Sequence, residues 1–162
     1  MAKTLDLNSF RIIMPVHIRK AIESDCIRLM ELIQQLAVFE KEPNAIRVSL
    51  EHFTACGFGS SPCWEAFVAI DQNQIVGFAL FYTRYSTWRG KRLYLEDLYV
   101  TEPFRNQQVG KQLFEKLQQH ALDQGYTGMN WQVLEWNADA IRFYKKFDEI
   151  HLEDGWLNGY WK

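Results

Sequence analysis

Two adjacent carboxylates, Glu96 and Asp97, stand inside a segment that is otherwise suited to burial. Residues 93–100 are rich in aromatic and apolar side chains, which is typical of a β-strand. Neighbouring strand residues point to opposite faces of a sheet, so one of the two acids is predicted to point toward the core or into a cleft. A carboxylate in such a place needs a partner or a chemical task.

A second chemical feature follows directly along the chain. Residues 101–108 are polar and interrupted by Pro103, and helical spacing of apolar residues begins at Val109. The first turn of a helix has unpaired N–H groups and the positive end of the dipole, which together can bind phosphate. Arg105 and Lys111 add positive charge there. A strand–loop–helix unit with one glycine is also common without any ligand, so both interpretations stay open.

Several motifs together resemble one known family. The loop Arg105 to Gly110 resembles motif A of the GNAT acyl-CoA N-acetyltransferases, Arg/Gln-x-x-Gly-x-Gly/Ala. Further motifs are similar to the spermidine/spermine (diamine) N-acetyltransferase branch of that family, and they cover the chain from about Val16 to Trp156: Trp88-x-Gly90-Lys91, Leu93-Tyr94-Leu95-Glu96-Asp97, Glu135-Trp136-Asn137, Phe143-Tyr144-Lys145 and Asp154-Gly155-Trp156. Ordered motifs are more specific than the loop alone.

The resemblance implies acetyl-CoA as the acetyl donor and assigns residues to it. Backbone amides of the loop would hold the pyrophosphate, a strand bulge would expose backbone to the pantetheine arm, and the amide of Leu98 would polarise the thioester carbonyl. From the residues alone, Leu98 and Val100 could equally be core residues. The implied cofactor contacts are Leu98, Tyr99, Val100, Asn106, Gln107, Gln108, Val109, Gly110, Lys111, Asn137, Ala138, Asp139 and Tyr144.

Gln108 departs from the family motif, because it stands where the family has its first glycine. If this residue adopts a positive φ, a side chain there costs about 1 kcal/mol or more. We expect weaker cofactor binding as a result, not its loss.

Acetyl transfer from a thioester to a primary amine requires two proton transfers. The ammonium must lose a proton to become a nucleophile, and the leaving thiolate benefits from gaining one. The resemblance implies Glu96 for the first role, directly or through water, and Tyr144 for the second. Without the resemblance, Tyr144 would be interpreted as a packing residue of a helix face, as Phe143 and Phe147 are.

The resemblance also implies an acceptor site that is rich in carboxylates, which suits a cationic amine. Taken singly, Glu40 and Asp154 would be ordinary surface acids. Ser86 departs from the polyamine branch, which has an Asp there, so one cation-binding charge is missing. The implied acceptor-site residues are Phe39, Glu40, Glu96, Asn130, Trp131, Gln132 and Asp154, with Asp97 and Trp156 nearby.

Composition limits the remaining possibilities. The 162 residues are 48% hydrophobic and suit one domain. A net charge of −2 without charge runs argues against a nucleic-acid partner. The three cysteines and four histidines are scattered, which argues against disulfides or a metal site. With no membrane span or signal peptide in the sequence, we expect a cytoplasmic protein.

The periodicity predicts an α/β (α+β) fold. Residues 1–13 are expected to be an extension outside the fold, and residues 14–162 to form a single domain. The resemblance implies a mostly antiparallel central sheet with helices on both faces. The predicted elements are a strand at 16–20, a helix at 27–37 after an N-cap at Ser24-Asp25, a short helix from Ser49 through Phe53 that is closed by Gly57 and Gly59, a hairpin at 64–70 and 75–82, a strand at 93–100, a helix from Val109 to Gly125, a strand at 129–134, a helix from Asn137 and a last strand at 157–162.

The resemblance implies an N-acetyltransferase that transfers acetyl from acetyl-CoA to a primary amine of a small diamine or polyamine, by direct transfer in a ternary complex. Two alternatives remain: a lysine-like amino acid such as thialysine as the acceptor, or a non-catalytic CoA-binding sensor. By analogy with the family we expect a homodimer, with no nucleic-acid or membrane partner.

Overall fold

The computed structural model describes residues 16–153 and Gly155. The predicted extension at residues 1–13, the last predicted strand at 157–162, and the site candidates Asp154 and Trp156 lie outside the described residues.

The described part of the chain forms a five-stranded sheet in the order β1-β2-β3-β4-β5. The strands are β1 His17–Lys20, β2 Glu65–Asp71, β3 Gln74–Ser86, β4 Gly90–Val100 and β5 Met129–Trp131. Neighbours are antiparallel from β1 to β4, and β5 runs parallel to β4. The predicted mostly antiparallel mixed sheet is confirmed.

Helices are α1 Cys26–Phe39, α2 Leu50–Phe58, α3 Val109–Asp123 and α4 Ala138–Tyr144. Ser49 caps α2 and Asn137 caps α4, each by accepting a backbone N–H, as predicted. Gly125 ends α3 with a φ of +67°. Asp25 is the N-cap residue of α1, within the predicted Ser24-Asp25 pair, but its side chain makes no cap bond. Its carboxylate accepts from the Ile22 amide and from Arg19 instead.

The two faces of the sheet are covered by different helices. On one face, α1 and α2 contribute Leu29, Leu32 and Phe53 to a core with Phe78 and Leu80 of β3. On the other face α3 packs through the predicted stripe, all of it buried: Val109, Leu113, Phe114, Leu117 and Ala121. The predicted placement of helices on both faces is confirmed.

Helix α2 ends at Phe58 with Gly59 as its C-cap, in agreement with the predicted closure at Gly57 and Gly59. Several predicted strand boundaries are wrong. Strand β3 continues to Ser86 instead of ending at residue 82, and β4 begins at Gly90 instead of Leu93, because the two strands stay paired as far as Ser86 and Gly90. Strand β5 ends at Trp131 instead of residue 134, because its pairing with β4 stops at Leu95.

The described chain divides between Trp131 and Gln132 into two compact units. The first contains the sheet and α1 to α3, and the second contains α4. The expectation of a single domain over residues 14–162 stays a prediction. None of the helices in the described residues is long and apolar enough to cross a membrane.

Candidate active site

A β-bulge in β4 determines where the two adjacent acids point. Leu80 pairs with Asp97 and Phe81 pairs with Leu95, so Glu96 is the extra residue opposite β3. Partners directly opposite in a sheet share a face. Leu95 therefore lies with Phe81 on the face of the sheet that α3 covers, the α3 face. Asp97 lies with Leu80 on the face that α1 and α2 cover, the α1 face. Leu95 and Asp97 thus point to opposite faces although they are two residues apart in one strand.

Glu96 lies on the same face as Asp97, which corrects the expectation that adjacent acids point opposite ways. Tyr82 follows Leu80 by two residues and pairs with Tyr94, so both tyrosines are on the α1 face. The Glu96 carboxylate accepts a hydrogen bond from the Tyr82 hydroxyl, and its charge acts on both Tyr82 and Tyr94. The inserted residue of the bulge, which breaks the strict alternation, accounts for the difference.

Asp97 has the most perturbed carboxyl of this cluster. Partial burial, and then the charges of Glu96 and Glu40, raise the pKa of Asp97 to about 7. Glu40 stands just after α1, and burial raises its pKa as well. Three acids, one just after α1 and two in β4, therefore lie near one another, and the charges of the other two favour the protonated form of Asp97.

Arg105 connects the loop after β4 to α1. Its Nε donates to the carbonyl of Val100 at 3.0 Å, and its guanidinium carbon lies 5.0 Å from the ring centre of Phe39 and 5.6 Å from that of Tyr99. The Tyr99 hydroxyl also donates to Gln35 of α1. These contacts give Arg105 a structural role between the loop and α1, and they place the Phe39 ring against its guanidinium.

The first turn of α3 has the geometry of an anion site. The φ of Gln108 is +63°, so the left-handed conformation considered for this residue is present, and Asn106 is also left-handed at +60°. No side chain caps the helix at Gln108, so the amides of Val109, Gly110 and Lys111 have no partner within the helix. The side chains of Gln107 and Lys111 are engaged locally, with the Pro103 carbonyl and with Glu115.

The edge of β4 next to β5 is only partly paired. The pairing with β5 covers residues 93–95. The Thr101 N–H donates to the Val76 carbonyl, on the β3 side of β4. Backbone N–H and C=O groups of successive strand residues point to alternate edges, so those of Leu98 and Val100 point to the β5 side. There the Val100 carbonyl already accepts from Arg105, while β5 does not pair with Leu98. Within the described residues, the Leu98 amide therefore has no strand partner at this edge, and its expected role stays a prediction.

Two predicted acceptor-site residues have structural contacts instead. The Asn130 side chain accepts from Arg92 Nε at 2.7 Å. Trp131 pairs with Leu95 and packs edge-on against Phe114 of α3 at 5.4 Å, so it lies on the face opposite Glu96. The structure does not bring Trp131 together with the acids, because its position opposite Leu95 fixes the face that it occupies.

The remaining candidates belong to the second unit. Asn137 accepts the Ala140 amide, and Asp139 pairs with Arg142, so both have roles within α4. Ala138 and Gln132 are exposed. Tyr144 is buried with its ring 5.1 Å from that of Phe143, and burial raises the pKa of its hydroxyl. The Tyr144 phenol therefore stays protonated at neutral pH.

The sequence reasoning missed Tyr82 and Tyr94 as part of the site. Their rings lie 5.1 Å apart beside Glu96, and alternation from buried Leu80 could have suggested the position of Tyr82. Ser86 was expected to matter for charge, yet its hydroxyl accepts the amides of Trp88 and Arg89 and so forms the turn between β3 and β4.

Comparisons with known sequences and with a family model identify the same protein family. The sequence model of the acetyltransferase (GNAT) family matches residues 27–148. A thialysine N-epsilon-acetyltransferase of Mus musculus is 36% identical over 151 residues, which are 87% of this chain and 89% of that protein. A spermidine/spermine N(1)-acetyltransferase-like protein 1 of Homo sapiens is 32% identical over 148 residues, 86% of this chain but 21% of that protein.

Solved structures agree on the fold. An aminoglycoside acetyltransferase from an uncultured soil metagenomic sample, crystallised in complex with trehalose, superposes with a TM-score of 0.75 at 22% identity, covering 91% of this chain and 95% of that one. At this identity the likeness concerns the fold and not the acceptor.

Proposed function

Because the chain belongs to the GNAT acetyltransferase family and is an acetyl-CoA-dependent amine N-acetyltransferase, we propose that its acceptor is the terminal amine of a lysine-like amino acid such as thialysine. The observation that carries this proposal is the 36% identity to thialysine N-epsilon-acetyltransferases over 89% of their length. The comparisons thus favour the alternative over the diamine or polyamine predicted first.

The carboxylate cluster supports an amine acceptor of either kind. Glu40, Glu96 and Asp97 attract an ammonium group and can orient it. We propose that Glu96 takes the proton from the ammonium, directly or through water, beside Asp97, whose pKa is raised to about 7. A diamine or polyamine stays the second candidate, since the same cluster suits it and the human spermidine/spermine-like relative is 32% identical.

The residues present fit acetyl-CoA, which supplies the acetyl thioester when bound. The uncapped first turn of α3 suits a pyrophosphate, with Asn106, Gln107, Gln108, Val109, Gly110 and Lys111 contributing. The edge of β4 at Leu98 to Val100 suits an extended arm, and Leu98 N–H suits a polarised carbonyl. Asn137, Ala138 and Asp139 are proposed as further contacts, and the protonated Tyr144 hydroxyl as donor to the leaving sulfur.

Steady-state kinetics with a panel of amines test this proposal. CoA release should occur with thialysine, lysine or ornithine, and initial-velocity lines should intersect, because both substrates must be bound before transfer. If CoA raises the melting temperature but no amine gives turnover, the sensor alternative replaces the enzyme. A homodimer and a cytoplasmic location remain proposals, which light scattering and cell fractionation test.

A further inference from the structure

Arg84 extends the α1 face of the sheet beyond the acid cluster. It follows Leu80 and Tyr82 at two-residue steps along β3, so all three side chains share that face. The guanidinium carbon of Arg84 lies 5.5 Å from the ring centre of Tyr94, the residue that pairs with Tyr82. A cation held over an aromatic ring has fewer orientations available, so less ordering is needed when it binds an anion.

Arg84 lacks an acidic partner within the described residues. The ion pairs and side-chain hydrogen bonds found there do not include it. Its cross-strand neighbour Arg92 is different, since Arg92 donates to the Asn130 side chain and to the carbonyls of Met129 and Thr127. Arg92 therefore has a structural role, whereas the exposed Arg84 makes no ion pair or side-chain hydrogen bond to the described part of the chain.

The charges on this face have opposite signs at its two ends. The Glu96 bulge lies between Leu80 and Phe81, and Arg84 is three residues further along β3, about 10 Å at 3.3 Å per residue. An amino acid with a side-chain amine has the complementary arrangement, a cation at one end and a carboxylate at the other. A diamine would instead place a second ammonium near Arg84.

We propose that Arg84 binds the α-carboxylate of the acceptor while the acid cluster receives its side-chain amine. This inference rests on the proposed acetylation of a lysine-like amino acid and names the residue that distinguishes such an acceptor from a diamine. Guanidinium binds carboxylate through parallel hydrogen bonds, which gives orientation as well as attraction. Arg84 thereby acts on specificity and not on the proton transfers.

The test compares an amino acid with its decarboxylated analogue, ornithine with putrescine or lysine with cadaverine, in wild type, Arg84→Ala and Arg84→Lys. Arg84→Ala should lower kcat/KM about 10-fold for the amino acid, mainly through KM, because a charged hydrogen bond to substrate is lost. For the diamine it should leave kcat/KM unchanged or raise it. Arg84→Lys should restore part of the loss, since it keeps the charge but not the bidentate geometry.

Arg89→Ala is the matched control, because Arg89 is an exposed arginine in the adjacent turn whose described hydrogen bonds are made by its backbone. It should change neither acceptor. Equal losses for the amino acid and the diamine in Arg84→Ala would overturn the inference while the proposed function stands. Turnover by wild type of diamines alone would overturn the amino-acid acceptor itself, and with it the role of Arg84.

Discussion

Asp97 lies among charges of its own sign. Partial burial and the neighbouring Glu96 and Glu40 raise its pKa to about 7, so the fold favours the neutral form of this carboxyl. A carboxyl near half-protonation can accept or release a proton at little cost, which suits a site that must deprotonate an ammonium. The same property makes the stability of the protein depend on pH.

Asp97→Asn should remove part of that dependence. The folded pKa of Asp97, about 7, lies above its unfolded value, so the stabilisation is complete below about pH 4 and is lost as the pH rises through about 7. Between about pH 5 and 8 the wild-type free energy of unfolding should fall on the order of 2 kcal/mol more than that of Asp97→Asn, allowing for partial solvent exposure. Denaturant unfolding at both pH values measures the difference.

Glu42→Gln is the control for this experiment, since Glu42 is exposed and only its backbone takes part in the described hydrogen bonds. It should keep the wild-type pH dependence. An unchanged dependence in Asp97→Asn would show that the carboxyl is not buried among like charges.

Tyr144→Phe should separate catalysis from packing. The buried Tyr144 hydroxyl has a raised pKa and stays protonated. Proton donation to a leaving group acts in the transition state, so kcat should fall roughly 10- to 1000-fold with nearly unchanged CoA affinity. Tyr85→Phe, which removes a hydroxyl from an exposed ring, should leave kcat unaltered. Weaker CoA binding at preserved kcat in Tyr144→Phe would identify a cofactor contact instead.

The acids could be found from the sequence, but not their direction. Glu96 and Asp97 stood out as carboxylates in an apolar strand, and alternation predicted that they diverge. The extra residue of the bulge places both carboxylates on one face, because every residue of β4 after the bulge changes the face on which its side chain lies. The engagement of Asn130 by Arg92 was equally hidden, since it depends on pairing between β4 and β5, far apart in the sequence.

At the scale of elements, α3 was the most predictable part of the chain. Its stripe of apolar residues and its end at Gly125 follow from local sequence. The positive φ of Gln108 was only considered as a condition, and the structure supplies it. Strand β5 was not, because three residues form a strand only through their pairing with β4. A helix whose residues favour it locally, such as α3, can be predicted from the sequence. A short strand that forms only through pairing with another strand, such as β5, becomes evident only in the structure.

Gln108→Gly should stabilise the protein by about 0.5 to 1 kcal/mol, because glycine relieves the left-handed strain at φ +63° despite its greater entropy when unfolded. The same substitution at Gln112, inside α3, should destabilise it by about 1 kcal/mol. Urea unfolding of both variants measures these opposite signs, and CoA titration should show equal or tighter binding for Gln108→Gly. Destabilisation by Gln108→Gly would mean that its side chain contributes a contact that outweighs the strain.

For the whole molecule, the fold class and the reaction could be predicted and the acceptor could not. The motifs carry the family, and the sheet with α1 and α2 on one face and α3 on the other confirms its architecture. In our proposal the acceptor depends on a few charges such as Arg84, Glu40 and Asp97, which come from β3, the end of α1 and β4. A polyamine and a lysine-like amino acid both suit an acidic cluster, so composition does not distinguish between them.

The most direct test of the account is a competition between acceptors. Equal concentrations of thialysine, its decarboxylated diamine and spermidine are incubated with limiting acetyl-CoA, and the acetylated products are quantified by mass spectrometry. Product ratios report the ratios of kcat/KM. The account predicts that thialysine acetylated on its side-chain amine dominates. Acetyl-spermidine or the acetylated diamine as the main product, or acetylation of the α-amine of thialysine, would contradict it.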